Sequence, residues 1–191
     1  MLISITGPSG IGKGYLMEKV QKIFPFVQEL TWWTTRPLRW GEYQRSNRKS
    51  VSKEEFRSLE AVGELILVQN LYGYHYGVRS CDLSLCQEKV YWTELQIDNL
   101  LKAFKLNLPI ISLALIPFEV SFLRRRLEVH RKTETPGEIE QRLALAEKEI
   151  EKIKANRTLF SAIIEVTAET EDLVVPRLIE VVKPILNEGG S

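Results

Sequence analysis

The chain has 191 residues, with 26 lysines and arginines against 25 aspartates and glutamates, which gives a formal net charge of +1 at pH 7. Because 44% of the residues are hydrophobic, the composition is that of a folded protein and excludes a chain that is mainly disordered. The near-neutral balance argues against a protein that coats nucleic acid or an anionic membrane through its total charge, although a local basic patch is compatible with it.

Cysteine and histidine content limits the kinds of site that the chain can form. Two cysteines, Cys81 and Cys86, are too few for a multi-bridge disulfide framework, and His75 and His130 lie too far apart for a metal-ligand cluster. The first residues lack the basic leader of a signal peptide, and no segment reaches the roughly 20 apolar residues of a membrane span. We therefore expect a cytoplasmic protein with one compact domain, idle thiols and no resident metal site.

Apolar runs rich in β-branched residues alternate along the chain with segments of helical periodicity. The apolar runs, which predict buried strands, are residues 2–6, 65–68, 90–95, 110–116 and 162–166. The predicted helices are residues 13–23, 52–62, 96–104, 119–130, 137–155 and 170–186. Pro176 and Pro184 lie inside the last of these and could kink or shorten it. The alternation predicts an α/β protein in which helices cover a parallel sheet.

Two of the predicted helices have a local start signal. Ser52 with Glu55 three residues later has the pattern of a capping box, in which each side chain binds an amide at the helix start. Thr135 precedes Pro136, whose missing N–H does no harm at the first helical position. The helix that follows has an apolar stripe, which predicts a face packed into the core: Ile139, Leu143, Ala146, Ile150 and Ile153.

A glycine-rich segment directly follows the first predicted strand and directly precedes the first predicted helix. Its residues are Gly7, Pro8, Ser9, Gly10, Ile11, Gly12, Lys13 and Gly14. This order is typical of a P-loop, in which backbone N–H groups and a helix N-terminus bind phosphate oxygens while the lysine contacts the β- and γ-phosphates. A turn of purely structural use would not need a lysine after its last glycine. The segment therefore predicts a nucleotide phosphate site.

One position departs from the usual motif. Gly14 stands where a serine or threonine hydroxyl commonly ligates Mg²⁺. In one interpretation the metal is held mainly by waters and phosphates, as in adenylate kinases, which carry a similar Gly-Lys-Gly; in the other the metal site has been lost. We favour the first interpretation because Mg²⁺ commonly keeps several waters and needs few protein ligands.

The segment Thr34-Thr35-Arg36-Pro37-Leu38-Arg39-Trp40-Gly41-Glu42 resembles the acceptor-site signature of guanylate kinases, Thr-Thr-Arg-x-x-Arg-x-Gly-Glu. The resemblance continues in order through Val51-Ser52-Lys53-Glu54-Glu55-Phe56, Gly63-Glu64, Tyr74-His75-Tyr76-Gly77, Pro117, Arg126-Leu127-Glu128 and Glu140-Gln141-Arg142-Leu143. The similarity to the guanylate-kinase-like family of P-loop nucleoside monophosphate kinases thus spans nearly the whole chain. It implies a P-loop NTPase-like three-layer fold with a five-stranded parallel sheet core (1–32, 78–125 and 143–188), an acceptor-binding lobe (33–77) and a helical lid (126–142).

The resemblance also implies an activity and its residues. It implies transfer of the γ-phosphoryl group of ATP to GMP with Mg²⁺, by a monomer or homodimer whose partners are nucleotide substrates and neither nucleic acid nor membrane. ATP would be bound by residues 7–14. The implied catalytic residues are Lys13, Arg126, Arg131 and Arg142, and the implied acceptor-binding residues are Arg36, Arg39, Glu42, Arg48, Tyr76 and Glu94. The spacing from Arg126 to Arg142 is one residue longer than the family pattern.

Two alternatives to a GMP acceptor stay open. The first is a related phosphotransferase with another phosphorylated acceptor, such as a different nucleotide or a ribose bisphosphate. The second is a non-catalytic module that holds a phosphorylated partner. The chain keeps the P-loop lysine and the lid arginines that such modules typically lose, which disfavours the second alternative.

The family residues that bind guanine are where the resemblance weakens. Guanine presents N1–H and an amine, so a selective site needs carboxylate acceptors. Leu67 occupies the position of one family acid and Glu94 that of another. Three further positions differ: Trp92 replaces an acid that can be linked to the metal, Trp32 replaces a serine that contacts guanine O6, and Arg48 replaces a tyrosine that helps to hold the acceptor phosphate. Residues that bind phosphate are therefore kept, whereas residues that bind the base have changed.

Side chains in the predicted lobe allow both binding and packing roles. Arg36 and Arg39 can present planar guanidinium groups to one acceptor phosphate. Trp32 or Trp33 could stack on a base, although packing within the lobe is the simpler interpretation. His75 is not needed as a general base, because an acceptor phosphate is already an anionic nucleophile.

Overall fold

The structure, a computed structural model, describes residues 1–38, 47–130, 134–167 and 171–188. Its strands are β1 (Leu2–Thr6), β2 (Gln28–Glu29), β3 (Trp32–Thr34), β4 (Arg48–Ser50), β5 (Leu65–Leu71), β6 (Tyr74–Arg79), β7 (Tyr91–Glu94), β8 (Ile110–Pro117) and β9 (Ala162–Val166). Its α-helices are α1 (Lys13–Ile23), α2 (Lys53–Ala61), α3 (Ser80–Ser84), α4 (Ile97–Lys105), α5 (Val120–His130), α6 (Pro136–Ala155) and α7 (Glu171–Glu188). Short 3₁₀ turns follow α3 and α6.

The strands form two sheets, which confirms the predicted α/β class. A five-stranded parallel sheet has the order β2-β7-β1-β8-β9. All five residues of β1 are buried, as is β8 from Ile111 onward. Since successive side chains of a strand point to opposite faces, strands buried throughout must be covered on both faces.

The second sheet, which we call the lobe sheet, has the order β4-β3-β6-β5. In it β3 pairs parallel with β4 and antiparallel with β6, and β6 pairs antiparallel with β5. The apolar run at 65–68 therefore belongs to this sheet and not to the parallel one. The parallel sheet takes β2 instead, a two-residue polar strand that periodicity alone does not indicate.

Every helix predicted from the sequence is present, with ends within two residues of those expected. The reciprocal capping box occurs at Thr135 and Glu138, where the Thr135 hydroxyl accepts from the Glu138 N–H and the Glu138 carboxylate accepts from the Thr135 N–H. At Ser52 the hydroxyl accepts from the Glu55 N–H at 3.0 Å. The whole predicted stripe of α6 is buried. The last helix runs through both of its prolines, so neither of them shortens it.

Tertiary contacts divide the chain into two compact units. The first unit comprises residues 1–3, 27–93 and 98–110, and the second comprises residues 4–26, 94–97 and 111–191. In the first unit, Trp33, Phe56 and Leu65 form a buried cluster between the lobe sheet and α2. In the second, α1 packs against α7 and α5 against α6. Both cysteines are free thiols, as expected. Within the described ranges, no helix has the length and apolarity needed to cross a membrane.

Candidate active site

The glycine-rich segment, residues 7–14, forms a loop between β1 and α1, which we call the phosphate loop. Gly12 is the N-cap of α1 and has a positive φ of 102°, a conformation that glycine adopts without strain. At Gly7 the backbone passes so close to β8 that a Cβ atom would lie 2.5 Å from the Leu115 carbonyl oxygen. Glycine is therefore required at both positions, by conformation at one and by space at the other.

Lys13 is the first residue of α1, and its ammonium group is held at the base of the phosphate loop. Its Nζ donates hydrogen bonds to the carbonyl oxygens of Gly7 at 2.6 Å and Pro8 at 3.2 Å. It also lies 3.7 Å from a carboxylate oxygen of Glu94, at the end of β7. The lysine side chain is only 12% exposed. The structure therefore keeps one desolvated positive charge at the loop.

Two of the three predicted lid arginines contact the phosphate loop. Arg126 on α5 donates from Nε to the Gly10 carbonyl oxygen at 2.9 Å. Arg142 on α6 donates from a terminal nitrogen to Ser9 Oγ at 3.2 Å and forms a two-point ion pair with Glu134 at 2.5 and 2.8 Å. The third, Arg131, lies outside the described residues. Lys13, Arg126 and Arg142 thus contact one loop from three helices, and their catalytic role stays a prediction.

A second carboxylate, Glu149 on α6, is sensitive to the charges of Lys13 and Glu94. Burial raises the pKa of the Glu149 carboxyl, the positive charge of Lys13 opposes this, and the negative charge of Glu94 adds to it. Lys13 is therefore paired with Glu94, and the charges of both act on the pKa of Glu149.

Three of the four described candidates for acceptor binding, Arg36, Arg48 and Tyr76, lie in the first unit. Arg36 follows β3 and is buried; its backbone N–H donates to Thr34 Oγ1 at 3.0 Å, and its guanidinium donates to the Pro37 carbonyl oxygen at 2.9 Å. The Ser50 hydroxyl donates to the Arg36 carbonyl oxygen at 3.0 Å. These bonds fix the backbone of Arg36 at the end of β3. Arg39 and Glu42 lie outside the described residues.

Tyr76 lies in the middle of the lobe sheet. It is opposite Thr34 on one side and Gln69 on the other, so the three side chains share a face. Arg48, which the resemblance assigns to the acceptor phosphate, pairs with Trp32 in the same sheet. Glu94, the sixth acceptor candidate, lies in the second unit beside Lys13, so its assignment to the acceptor stays a prediction.

The lobe tryptophans are packed side chains, which supports the simpler interpretation. Trp32 is buried, and its indole N–H donates to Thr93 Oγ1 at 2.7 Å. Trp33 is also buried, with Lys49 Nζ 3.9 Å and Arg79 Cζ 5.4 Å from its ring centroid. Such cation–π contacts stabilise a ring at the edge of a core.

The position of the missing family acid has an unusual backbone. Leu67 has a positive φ of 52°, is buried, and lies at a break in the register between Ile66 and Gln69. Its carbonyl oxygen accepts from the side-chain amide of Asn99 at 2.6 Å, and the same amide donates to Gln69 Oε1 at 2.9 Å. The backbone of this β-bulge is therefore bound by the Asn99 side-chain amide, which also binds the amide of Gln69.

Comparison with known proteins identifies the family. No family model matches the chain. A guanylate kinase from Clostridioides difficile is 32% identical over 156 residues, which cover 81% of this chain and 76% of that protein. A guanylate kinase from Lactobacillus delbrueckii subsp. bulgaricus is 31% identical over 204 residues, covering 98% of this chain and 97% of that protein. The chain belongs to the guanylate kinase family.

Solved structures support the P-loop fold of this family member. The crystal structure of guanylate kinase from Anaplasma phagocytophilum matches with a TM-score of 0.69 at 21% identity, covering 100% of this chain and 87% of that one. A shikimate kinase from Bacteroides thetaiotaomicron matches with a TM-score of 0.52 at 18% identity, covering 96% and 98% of the two chains. At these identities the matches show the fold alone.

Two features of this guanylate kinase family member escape sequence reasoning. Glu149 belongs to a helix rich in charged residues, where a single acid is not conspicuous. The signal that could have identified it is its spacing of seven residues from Arg142, which places both on one face of α6. Asn99 has no comparable signal, since its contacts depend on the β-bulge at Leu67.

Proposed function

We propose that this chain is an ATP-dependent guanylate kinase, which transfers the γ-phosphoryl group of ATP to GMP and releases ADP and GDP. The observation that carries the proposal is the convergence of Lys13, Arg126 and Arg142 on the phosphate loop. Family membership over most of the chain supports it. A module that only held a phosphorylated partner on its acceptor lobe would not need these cations at the phosphate loop.

In this proposal the phosphate loop and its cations bind the donor. The amides of the loop and the N-terminus of α1 would surround the ATP phosphates. Lys13 would neutralise the β- and γ-phosphates. Arg126, Arg131 and Arg142 would stabilise the charge that spreads over the oxygens of the transferred group. Catalysis of this kind consists of positioning and electrostatic stabilisation, and an acceptor phosphate needs no general base.

The acceptor would be bound by residues that the sequence assigns to it. We propose that Arg36, Arg39, Arg48 and Tyr76 hold the acceptor phosphate, that Glu42 also contacts the acceptor, and that Glu94 contributes to base recognition. Support within the described residues comes from the fixed backbone of Arg36 and from Tyr76 in the middle of the lobe sheet. The division into a core, a lobe at 33–77 and a lid at 126–142, and a cytoplasmic location, belong to the same proposal.

Mg²⁺ fits the residues of the phosphate loop. At Gly14 a Cβ atom would meet nothing within 4 Å, so the missing hydroxyl leaves open space in which waters can serve as ligands. Glu94, next to Lys13, would be the carboxylate available to the ion or its waters. Bound with ATP, the metal would supply charge neutralisation at the phosphates.

A different phosphorylated acceptor is the second candidate, because of Leu67. A buried leucine cannot accept hydrogen bonds from guanine N1–H and the exocyclic amine, whereas a carboxylate can. The neighbouring Asn99 side-chain amide donates hydrogen bonds to Leu67 and Gln69, whereas a carboxylate could only accept them. This observation favours a weaker preference for guanine over other bases than an acid at position 67 would give.

A coupled assay with ATP and Mg²⁺ tests both candidates. The acceptor panel comprises GMP, dGMP, AMP, IMP, UMP and a ribose bisphosphate. We expect turnover with GMP at the highest kcat/KM. A GMP value no better than that of AMP would replace the guanylate assignment by the second candidate. Folded protein that binds phosphorylated ligands but turns over no acceptor would contradict the enzymatic function itself.

A further inference from the structure

Gln69 is a polar side chain of the lobe sheet to which the function proposed above gives no role. It lies on β5 directly opposite Tyr76 of β6, which in turn lies opposite Thr34 of β3, so the three side chains share one face of the sheet. The other face packs on α2, where Phe56 and Trp33 belong to one buried cluster. Gln69 is therefore next to a candidate for acceptor binding, on the face turned away from α2.

Three hydrogen bonds from α4 hold the β-bulge that leads into Gln69. Asn99 Nδ2 donates to the Leu67 carbonyl oxygen at 2.6 Å and to Gln69 Oε1 at 2.9 Å. Lys102 Nζ donates to the Val68 carbonyl oxygen at 3.3 Å. Asn99 is buried. The side chain of Gln69 is thus held by a group that is itself held in place.

These contacts determine which end of each side-chain amide faces the other. A backbone carbonyl oxygen can only accept, so the Asn99 atom that meets Leu67 must be the NH₂ group. The second proton of that NH₂ group binds Gln69, so the Gln69 atom it meets must be the oxygen. The NH₂ group of Gln69 is therefore directed elsewhere, and within the described parts of the chain no hydrogen bond uses it.

The half-buried Gln69 side chain therefore offers a ligand donors only. Among purine bases, guanine and hypoxanthine carry an oxo group at C6, which accepts such a bond, whereas adenine carries an amine there. An amine opposite the NH₂ group would set donor against donor. A site built to donate rejects a ring that lacks the matching acceptor, because its own polar group is then left unpaired.

We infer that Gln69 is a specificity-determining residue of the acceptor site, whose Nε2 donates a hydrogen bond to the 6-oxo group of a purine nucleoside monophosphate. Asn99 sets the orientation of the amide, and the β-bulge at Leu67 sets its place on the sheet. The inference rests on the proposed function, because it takes the face of Tyr76 as the acceptor site. It defines the acceptor class as 6-oxopurine nucleotides.

The test pairs Gln69→Met and Gln69→Glu with Asn70→Met and Asn70→Glu. Asn70 is the next residue of β5, and its exposed amide lies on the opposite face, so its variants are matched controls. Methionine has a similar length without a donor. Glutamate keeps one oxygen for Asn99 and places a second acceptor where the NH₂ group stood.

The two acceptors compared are GMP and 2-aminopurine riboside monophosphate, which lacks the 6-oxo group. Calorimetry gives the Kd of each, and the coupled assay gives kcat/KM. Gln69→Met should lower the preference for GMP by about tenfold, with the loss falling on GMP. Gln69→Glu should lower it at least as much, because its carboxylate repels the 6-oxo oxygen. Both Asn70 variants should stay within about twofold of wild type. A merely structural role would weaken both acceptors alike and leave the preference unchanged.

Several results would overturn the inference. These are an unchanged preference in Gln69→Met, an equal loss with both acceptors, or a raised preference for GMP in Gln69→Glu. If Gln69→Met does not fold, Gln69→Glu decides the question, since it keeps the acceptor for Asn99. Failure of the proposed function is a separate result: wild-type protein would bind GMP but phosphorylate no acceptor. The ratio of the two Kd values would then still decide the role of Gln69.

Discussion

The phosphate loop and the lobe sheet differ in what holds their polar groups. At the loop, every described cation that the family pattern predicts contacts loop atoms, and the closest contacts are made to backbone carbonyls of Gly7 and Gly10. In the lobe sheet, polar groups near the expected base site bind side chains of neighbouring elements, as in the pairs of Trp32 with Thr93 of β7 and of Gln69 with Asn99 of α4. Under the proposed function, the first arrangement would bind the phosphates of any nucleotide, whereas the second would depend on the particular acceptor.

If both assignments hold, phosphate binding and base selection are separable in this chain. Phosphate binding needs charge and amides in a fixed geometry, and few residue types supply them. Base selection needs donors and acceptors that match one edge of one ring. Substitutions at the loop should therefore change turnover with every acceptor, and substitutions in the lobe sheet should change the ratio between acceptors.

The largest expected effect follows the loss of the loop cation. Lys13→Met should lower kcat by about 10² to 10³ with every acceptor, because it removes the charge that faces the phosphates. Lys22→Met, on an exposed side chain of the same helix, is the control and should leave kcat unchanged. Coupled-assay kinetics and circular dichroism of both variants provide the measurement. Equal activity of the two variants would contradict the assignment of the loop.

Glycine substitutions test the packing of the phosphate loop. Gly7→Ala should lower the free energy of unfolding by about 1–3 kcal/mol, because the new Cβ meets the Leu115 carbonyl at 2.5 Å. Gly14→Ala should cause no loss, since its Cβ meets nothing within 4 Å and alanine favours the helix. Urea unfolding of both variants gives the comparison, and equal stabilities would show that the close approach at Gly7 is relaxed in solution.

Base selection should respond to a restored acid. Leu67→Glu should raise the ratio of kcat/KM for GMP over IMP by about tenfold, because only GMP offers the exocyclic amine to the carboxylate. Leu67→Gln, which has the same shape without the charge, should raise the ratio less. Steady-state kinetics with both acceptors provide the ratios. If neither variant changes it, position 67 does not face the base.

The smallest expected effect concerns Trp32. Trp32→Phe removes the N–H that donates to Thr93 and should lower the free energy of unfolding by about 1 kcal/mol. The double variant with Thr93→Val should lose less than the sum of the single changes, because both partners of one hydrogen bond are then absent. Denaturant unfolding measures the cycle. The ratio of GMP to IMP turnover should not change; a changed ratio would mean that Trp32 contacts the acceptor.

Much of the fold follows from local patterns in the sequence. The apolar stripe of α6 and the apolar run of β8 are long and regular, so burial leaves few alternatives to a helix and a buried strand. The strand β2 is two polar residues long, and its pairing with Tyr91 and Trp92 depends on tertiary contact alone. The lobe strands β3 and β4 are three residues each, too short for periodicity to show.

The site was predictable where a motif sets the spacing, and less so where contacts cross the fold. Lys13 and the glycines around it form a contiguous motif, which indicates both the loop and its chemistry. The contact of Glu94 with Lys13 joins residues 81 positions apart, and that of Arg142 with Ser9 joins residues 133 apart. Only the family resemblance pointed to Arg142.

The reciprocal cap at Thr135 sets the phase of α6. In a helix each residue turns the chain by about 100°, so the direction of Arg142 and Glu149 is counted from the residue where the helix starts. A change in chain length before Thr135 leaves that count unaltered, whereas an insertion after Pro136 would rotate Arg142 away from the loop. The cap thus fixes the rotational phase of α6, so the direction of Arg142 does not depend on the length of the chain that precedes Thr135.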